Sequence, residues 1–94
     1  MKFVISPQAL RDIDDIAAYI AEDNPASAAN FASEILQRFR VIAERPLSFS
    51  EKLHWGKNKR SALIGKYHII FEVRNKVVQI QRVLHGARNI GDLI

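Results

Sequence analysis

The sequence contains no cysteine, which excludes disulfides, zinc-thiolate centres and cysteine nucleophiles and suits a reducing compartment. Histidine is sparse too. His54, His68 and His85 stand far apart, without the spacing to one another or to carboxylates that a metal site needs. The four glycines are single turn residues, so there is no glycine-rich phosphate loop, and no elbow sequence marks a serine hydrolase. No apolar run approaches the roughly 18 residues that span a bilayer, and no basic leader precedes an apolar stretch at the N-terminus. A cytoplasmic protein without membrane contact is expected, with no metal and no cofactor.

What is present suits one small domain covering residues 1-94, able to bury roughly two-thirds of its unfolded surface. Hydrophobic residues make up 48% of the chain and charged residues 26%, a composition that gives a packed core rather than disorder. The net charge of +4 conceals a division. Residues 1-44 carry four basic and seven acidic side chains, net −3, whereas residues 45-94 carry ten basic and three acidic, net +7. The C-terminal half therefore faces solvent, nucleic acid or an acidic partner.

Lys2 to Ile5 reads as a short strand. Ser6-Pro7 then supplies an N-cap and a proline at the first helical position. Leu10, Ile13, Ile16, Ala17 and Ile20 form an apolar stripe on the helix that follows, with Arg11, Asp12, Asp15 and Glu22 on the other side. Asn24-Pro25 repeats the start signal, and a second helix runs to about Glu44 with Ala28, Phe31, Ala32, Ile35, Leu36, Phe39, Ile42 and Ala43 at helical spacing. So short a connection folds the two helices into an antiparallel hairpin. Arg45-Pro46 ends it. Residues 47-59 have little periodicity and carry Phe49, His54 and Trp55 beside Lys57, Lys59 and Arg60, so that Trp55 either covers the core edge or stacks on a partner.

From Arg60 the period becomes two: Ser61 to Ile64, a turn at Gly65-Lys66, then Tyr67 to Val73 with Tyr67, Ile69, Phe71 and Val73 on one face. Arg74-Asn75-Lys76 closes a tight hairpin into Val77 to Leu84. Arg82 is the anomaly in that last strand, sharing parity with Val78, Ile80 and Leu84. Either a bulge re-aims it or a polar partner meets it on an apolar row. The expected fold is α+β, order β-α-α-β-β-β, with the helical hairpin packed on one face of a mainly antiparallel sheet.

RNA cleavage by acid-base chemistry has possible participants in His85 with Arg60, Arg82, Lys57 and Lys59, yet only Glu51 and Glu72 supply carboxylates in that half beyond the tail. The chain resembles the ParE branch of the RelE/ParE superfamily of type II toxin-antitoxin toxins. The residues that carry the likeness are Ser6-Pro7-x-Ala9-x-x-Asp12-Ile13, Ile16, Tyr19 to Pro25, Ala28-Ala29, Phe31, Pro46, Gly65-x-Tyr67-x-Ile69 and Arg82-Val83-Leu84-His85-Gly86-Ala87-Arg88. The resemblance implies the same fold and a cognate antitoxin that wraps the toxin and binds operator DNA itself, so that operator DNA is reached only indirectly. It implies DNA gyrase as the target, inhibited without catalysis. The RelE branch cuts mRNA on the ribosome, and the C-terminal tyrosine it uses has no counterpart after Tyr67.

The target-contact candidates are accordingly Trp55, Lys57, Lys59, Arg60, Arg82, His85 and Arg88. The antitoxin-binding candidates are Ile13, Ile20, Phe31 and Ile35. Two alternatives remain: a ribosome-dependent mRNA endonuclease using His85, and an antitoxin-binding relative without toxicity.

Overall fold

The structure is a computed structural model that describes all 94 residues. Strand β1 (Lys2–Ile5) leads into helix α1 (Pro7–Asp23), helix α2 (Pro25–Glu44) and then strands β2 (Arg60–Ile64), β3 (Tyr67–Arg74) and β4 (Val77–His85). The sheet order is β1-β4-β3-β2, with β1 parallel to β4 and the other pairs antiparallel. The expected order and layering are those observed.

Both helix starts form as the capping residues dictate. Ser6 Oγ accepts the Ala9 N–H at 3.0 Å, and Asn24 Oδ1 accepts that of Ser27 at 3.1 Å, each satisfying an otherwise free donor of the first turn. Asn24 also closes α1, its N–H donating to the Ile20 carbonyl at 2.9 Å, so one residue serves both ends of the hairpin corner. At the β3-β4 turn Asn75 and Lys76 adopt φ of 52° and 62°, the left-handed pair that matches strand twist in a two-residue hairpin.

The main core lies between the hairpin and the sheet. Phe31, Ile35, Phe39 and Ile42 of α2 pack with Ala62, Ile64, Ile69, Phe71, Val78, Ile80 and Val83, and Ile13, Ile16 and Ile20 of α1 seal its side. Two details of the predicted stripes change. Ala9 and Asp12 are the buried residues of α1, whereas Leu10 is half exposed and Leu36 of α2 also meets solvent. The stripe is rotated toward Asp12 because this carboxylate has a partner inside.

A second, smaller cluster occupies the far face of the sheet, where Ile70, Leu84 and Ile90 are covered by Trp55, Leu93 and Ile94. Leu84 thus lies opposite Val78 and Ile80 rather than beside them, a correction to the simple parity of β4.

Candidate target-binding surface

The change of parity is a β-bulge. Ile70 pairs with Arg82 and Phe71 with Ile80, which leaves Gln81 without a partner on β3. After the extra residue, Val83 takes the helix face and Leu84 the far face. Arg82 falls opposite Ile70, on the far side.

Because β1 ends at Ile5, opposite Ile80, the edge of β4 beyond that point has no neighbouring strand. Side chains close it. Ser6 Oγ donates to the Gln81 carbonyl at 2.8 Å, and Asp12 Oδ2 accepts the Val83 N–H at 3.0 Å. The same carboxylate accepts Arg82 Nε at 2.8 Å and Nη2 at 3.0 Å, while Arg82 Nη1 donates to the Leu93 carbonyl at 2.9 Å. Arg82 therefore fastens β4 to α1 and to the C-terminal tail, and only 17% of its side chain meets solvent. Burial would raise the Asp12 pKa, but the Arg82 hydrogen bonds, the Val83 N–H, the guanidinium charge and Gln8 together hold it below its ordinary value. Both explanations considered for Arg82, a bulge and a polar partner, are realised at once.

The other candidates divide by whether the fold already employs them. Arg60 Nη1 donates to the Phe49 carbonyl at 2.6 Å, and its Nη2 lies 3.8 Å from Glu51. Lys59 Nζ donates to Gln81 Oε1 at 2.6 Å and stands 3.9 Å from Glu72, which also binds Arg74 and Gln81. Lys57 and Arg88 are exposed and make no ion pair or side-chain hydrogen bond. His85, at the end of β4, lies edge-on to Tyr67 at 5.3 Å, and its Nδ1 accepts the Ala87 N–H at 3.0 Å, so a neutral ring carries its proton on Nε2. Trp55 is half-buried over the far-face cluster, the covering role weighed for it in the sequence.

Arg82 and His85 consequently lie on opposite faces of the sheet. The Arg82 guanidinium is held by Asp12 and Leu93, and the His85 ring packs with Tyr67 on the helix face.

Among the hairpin positions, Phe31 and Ile35 are buried in the main core and contribute no free surface, because their stripe is the one that meets the sheet. Ile13 and Ile20 are half-buried at its margin. An open groove of about 460 Å³ lies between α2 and β2, lined by Ser33, Glu34, Gln37, Arg38, Val41 and Ile64. Sequence reading missed these residues. Their spacing of one, three, one and three along α2 marks a single helical face, but its polar members conceal it.

No group of His, Cys, Asp or Glu is placed to hold a metal ion. Residues 3–90 match the family model described as ParE toxin of type II toxin-antitoxin system, parDE. The chain belongs to the ParE toxin family. Membership places it in a two-component system whose other member is an antitoxin. A solved structure described as the chromosomal ParDE TA system from P. aeruginosa has the same fold, with a TM-score of 0.77 and 18% identity over 90% of this chain and 95% of that one. No curated protein sequence gives a match. No helix is long and apolar enough to cross a membrane.

Proposed function

We propose that this ParE-family chain is a cytoplasmic inhibitor of DNA gyrase, non-catalytic in itself and neutralised by its cognate antitoxin. The family match across residues 3–90 carries this reading. The distribution of charge supports it: Lys57 and Arg88 are exposed cations that the fold leaves unused, with His85 and the rim of Trp55 partly accessible. These four are the direct target contacts. Lys59, Arg60 and Arg82 shape the surface from within, through Gln81, Phe49 and Asp12.

The antitoxin takes the hairpin side. Its C-terminal segment lies in the groove beside α2 and contacts Ile13 and Ile20 at the core margin, while Phe31 and Ile35 support that surface from beneath. Operator DNA is bound by the antitoxin.

The test is a supercoiling assay with purified gyrase and relaxed plasmid. Added protein should block supercoiling and accumulate linear DNA, and pre-mixing with the antitoxin should restore activity. Unaffected gyrase together with cleavage of mRNA on translating ribosomes would replace this reading by the endonuclease one.

A further inference from the structure

On the far face of the sheet, three segments distant in sequence converge around one aromatic group. Trp55 meets His68 edge-on at 5.2 Å, and His54 lies tilted against Trp55 at 4.9 Å. Gly86 closes on the same imidazole: a Cβ added there would come within 3.4 Å of His68 Nε2 and 3.3 Å of the Lys66 carbonyl. The Gly86 N–H donates to that carbonyl at 2.8 Å. Ser61 Oγ holds the other side of the ring, 2.8 Å from His68 Nδ1.

Lys66 borders this group through its carbonyl, Lys52 lies near enough to His68 for its charge to act on the ring, and the exposed Arg88 follows two residues after Gly86. None of the three cations forms an ion pair or a side-chain hydrogen bond. The two carboxylates of the adjoining segments have partners of their own. Asp92 accepts from Asn89 Nδ2 at 2.7 Å, and Glu51 lies toward Arg60. Burial, and after it the positive charge of Lys52, keep the His68 pKa below its ordinary value. Seven of the chain's ten acidic side chains belong to residues 1-44, all of them on the hairpin that covers the opposite face.

We infer that this far-face patch binds the phosphodiester backbone of nucleic acid directly. Unpaired cations on segments that meet at an aromatic group match a polyanion with a regular charge spacing and flat bases. An ordinary solvated surface intersperses both signs. The inference shares the basic half of the chain with the gyrase reading but does not require gyrase. It adds a contact to the nucleic acid itself, through His54 and through Lys52 and Lys66, two cations that the sequence reading did not name.

The experiment is fluorescence anisotropy of the full chain with a labelled DNA duplex and, separately, a labelled RNA single strand, each at several salt concentrations. Binding should weaken with salt at a log-log slope of about −2 to −3, as expected for some three phosphate contacts. The K52A/K66A/R88A variant should bind at least about tenfold more weakly, and K2A/R38A/R40A, with the same loss of charge, less than about twofold. The arm that binds more tightly identifies the source of the backbone. Absence of binding in both arms at low salt, equal weakening by the two variants, or binding only to polyglutamate would overturn the inference. A supercoiling assay on the same preparations separates the two readings. Gyrase inhibition without nucleic-acid binding sinks this inference alone, whereas binding with unaffected gyrase supports it and sinks the other.

Discussion

Asp12 and Arg82, seventy residues apart in sequence, form a two-point ion pair of 2.8 and 3.0 Å, and the same carboxylate caps the Val83 N–H at the free edge of β4. Removing one member of such a buried pair strands the other without a partner, at a cost of about 3 to 5 kcal/mol. D12N should therefore lower stability by that order in urea unfolding. R82M, which keeps much of the stem volume, should also destabilise by leaving Asp12 and the Leu93 carbonyl unmatched. A double variant D12N/R82M should lose less than the sum, which a double-mutant cycle measures.

Acid should act through the same carboxylate. The folded-state pKa of Asp12 lies below 3.8, so its contribution is present above the unfolded value and disappears as pH falls through the folded one. Thermal melts from pH 7 to pH 3 should show the gap between wild type and D12N constant down to about pH 4 and narrowing below it.

His68 gives a second, milder pH effect of the same sign for a different reason. Burial and Lys52 depress its pKa below 6.5, so the neutral ring is the form the fold prefers. Stability from this source is full above 6.5 and declines as pH falls from there toward the folded value. H68Q should flatten the stability profile in that window, measured by urea midpoints at closely spaced pH.

Arg88 and Arg82 should differ in kind although they lie in one motif. Arg88 is exposed and unpaired, so R88A should leave the melting temperature within about 1 to 2 °C of wild type, as surface substitutions do, while weakening the proposed inhibition of gyrase. R82A should lower both together. Inhibition assays at a temperature where both variants remain folded distinguish the two cases.

Phe39 is fully buried and meets Phe3 of β1 edge-on at 5.8 Å. F39A should cost about 3 to 5 kcal/mol, the range for emptying a buried aromatic site. Denaturant unfolding of the variant checks this, with an unchanged m-value expected.

Much of the architecture was legible because local signals agreed with one another. Ser6-Pro7 and Asn24-Pro25 mark the helix starts where they occur, and the switch from helical to alternating period falls at the start of β2. The Gln81 bulge was less accessible: the parity of Arg82 showed that something intervenes, but only pairing with β3 shows that Leu84 turns over as well. Asp12 was assigned to the polar side of α1 because a carboxylate ordinarily stays in water. Its spacing of three from Ala9 and four from Ile16 placed it on the buried stripe, and its partner lies too far along the chain for local reading to supply.

The surface was harder still. Lys59, Arg60, Lys57 and Arg88 look alike as a string of cations, yet the first two are occupied by Gln81 and Phe49 and the last two are free. Which basic residue has an internal partner depends on tertiary proximity, and so does the convergence of Lys52, Lys66 and Gly86 around His68.

The parallel pairing of β1 with β4 sets the timing of assembly. The second segment to be synthesised, the hairpin, can form early from local contacts, but the central strand of the sheet arrives last and must find a partner at the opposite end of the chain. A nascent polypeptide lacking β4 has neither the Asp12 clasp nor the far-face cluster. Translation that stops short of Val77 should thus leave a protease-sensitive helical fragment, and the finished molecule should acquire its shape in one late, long-range step.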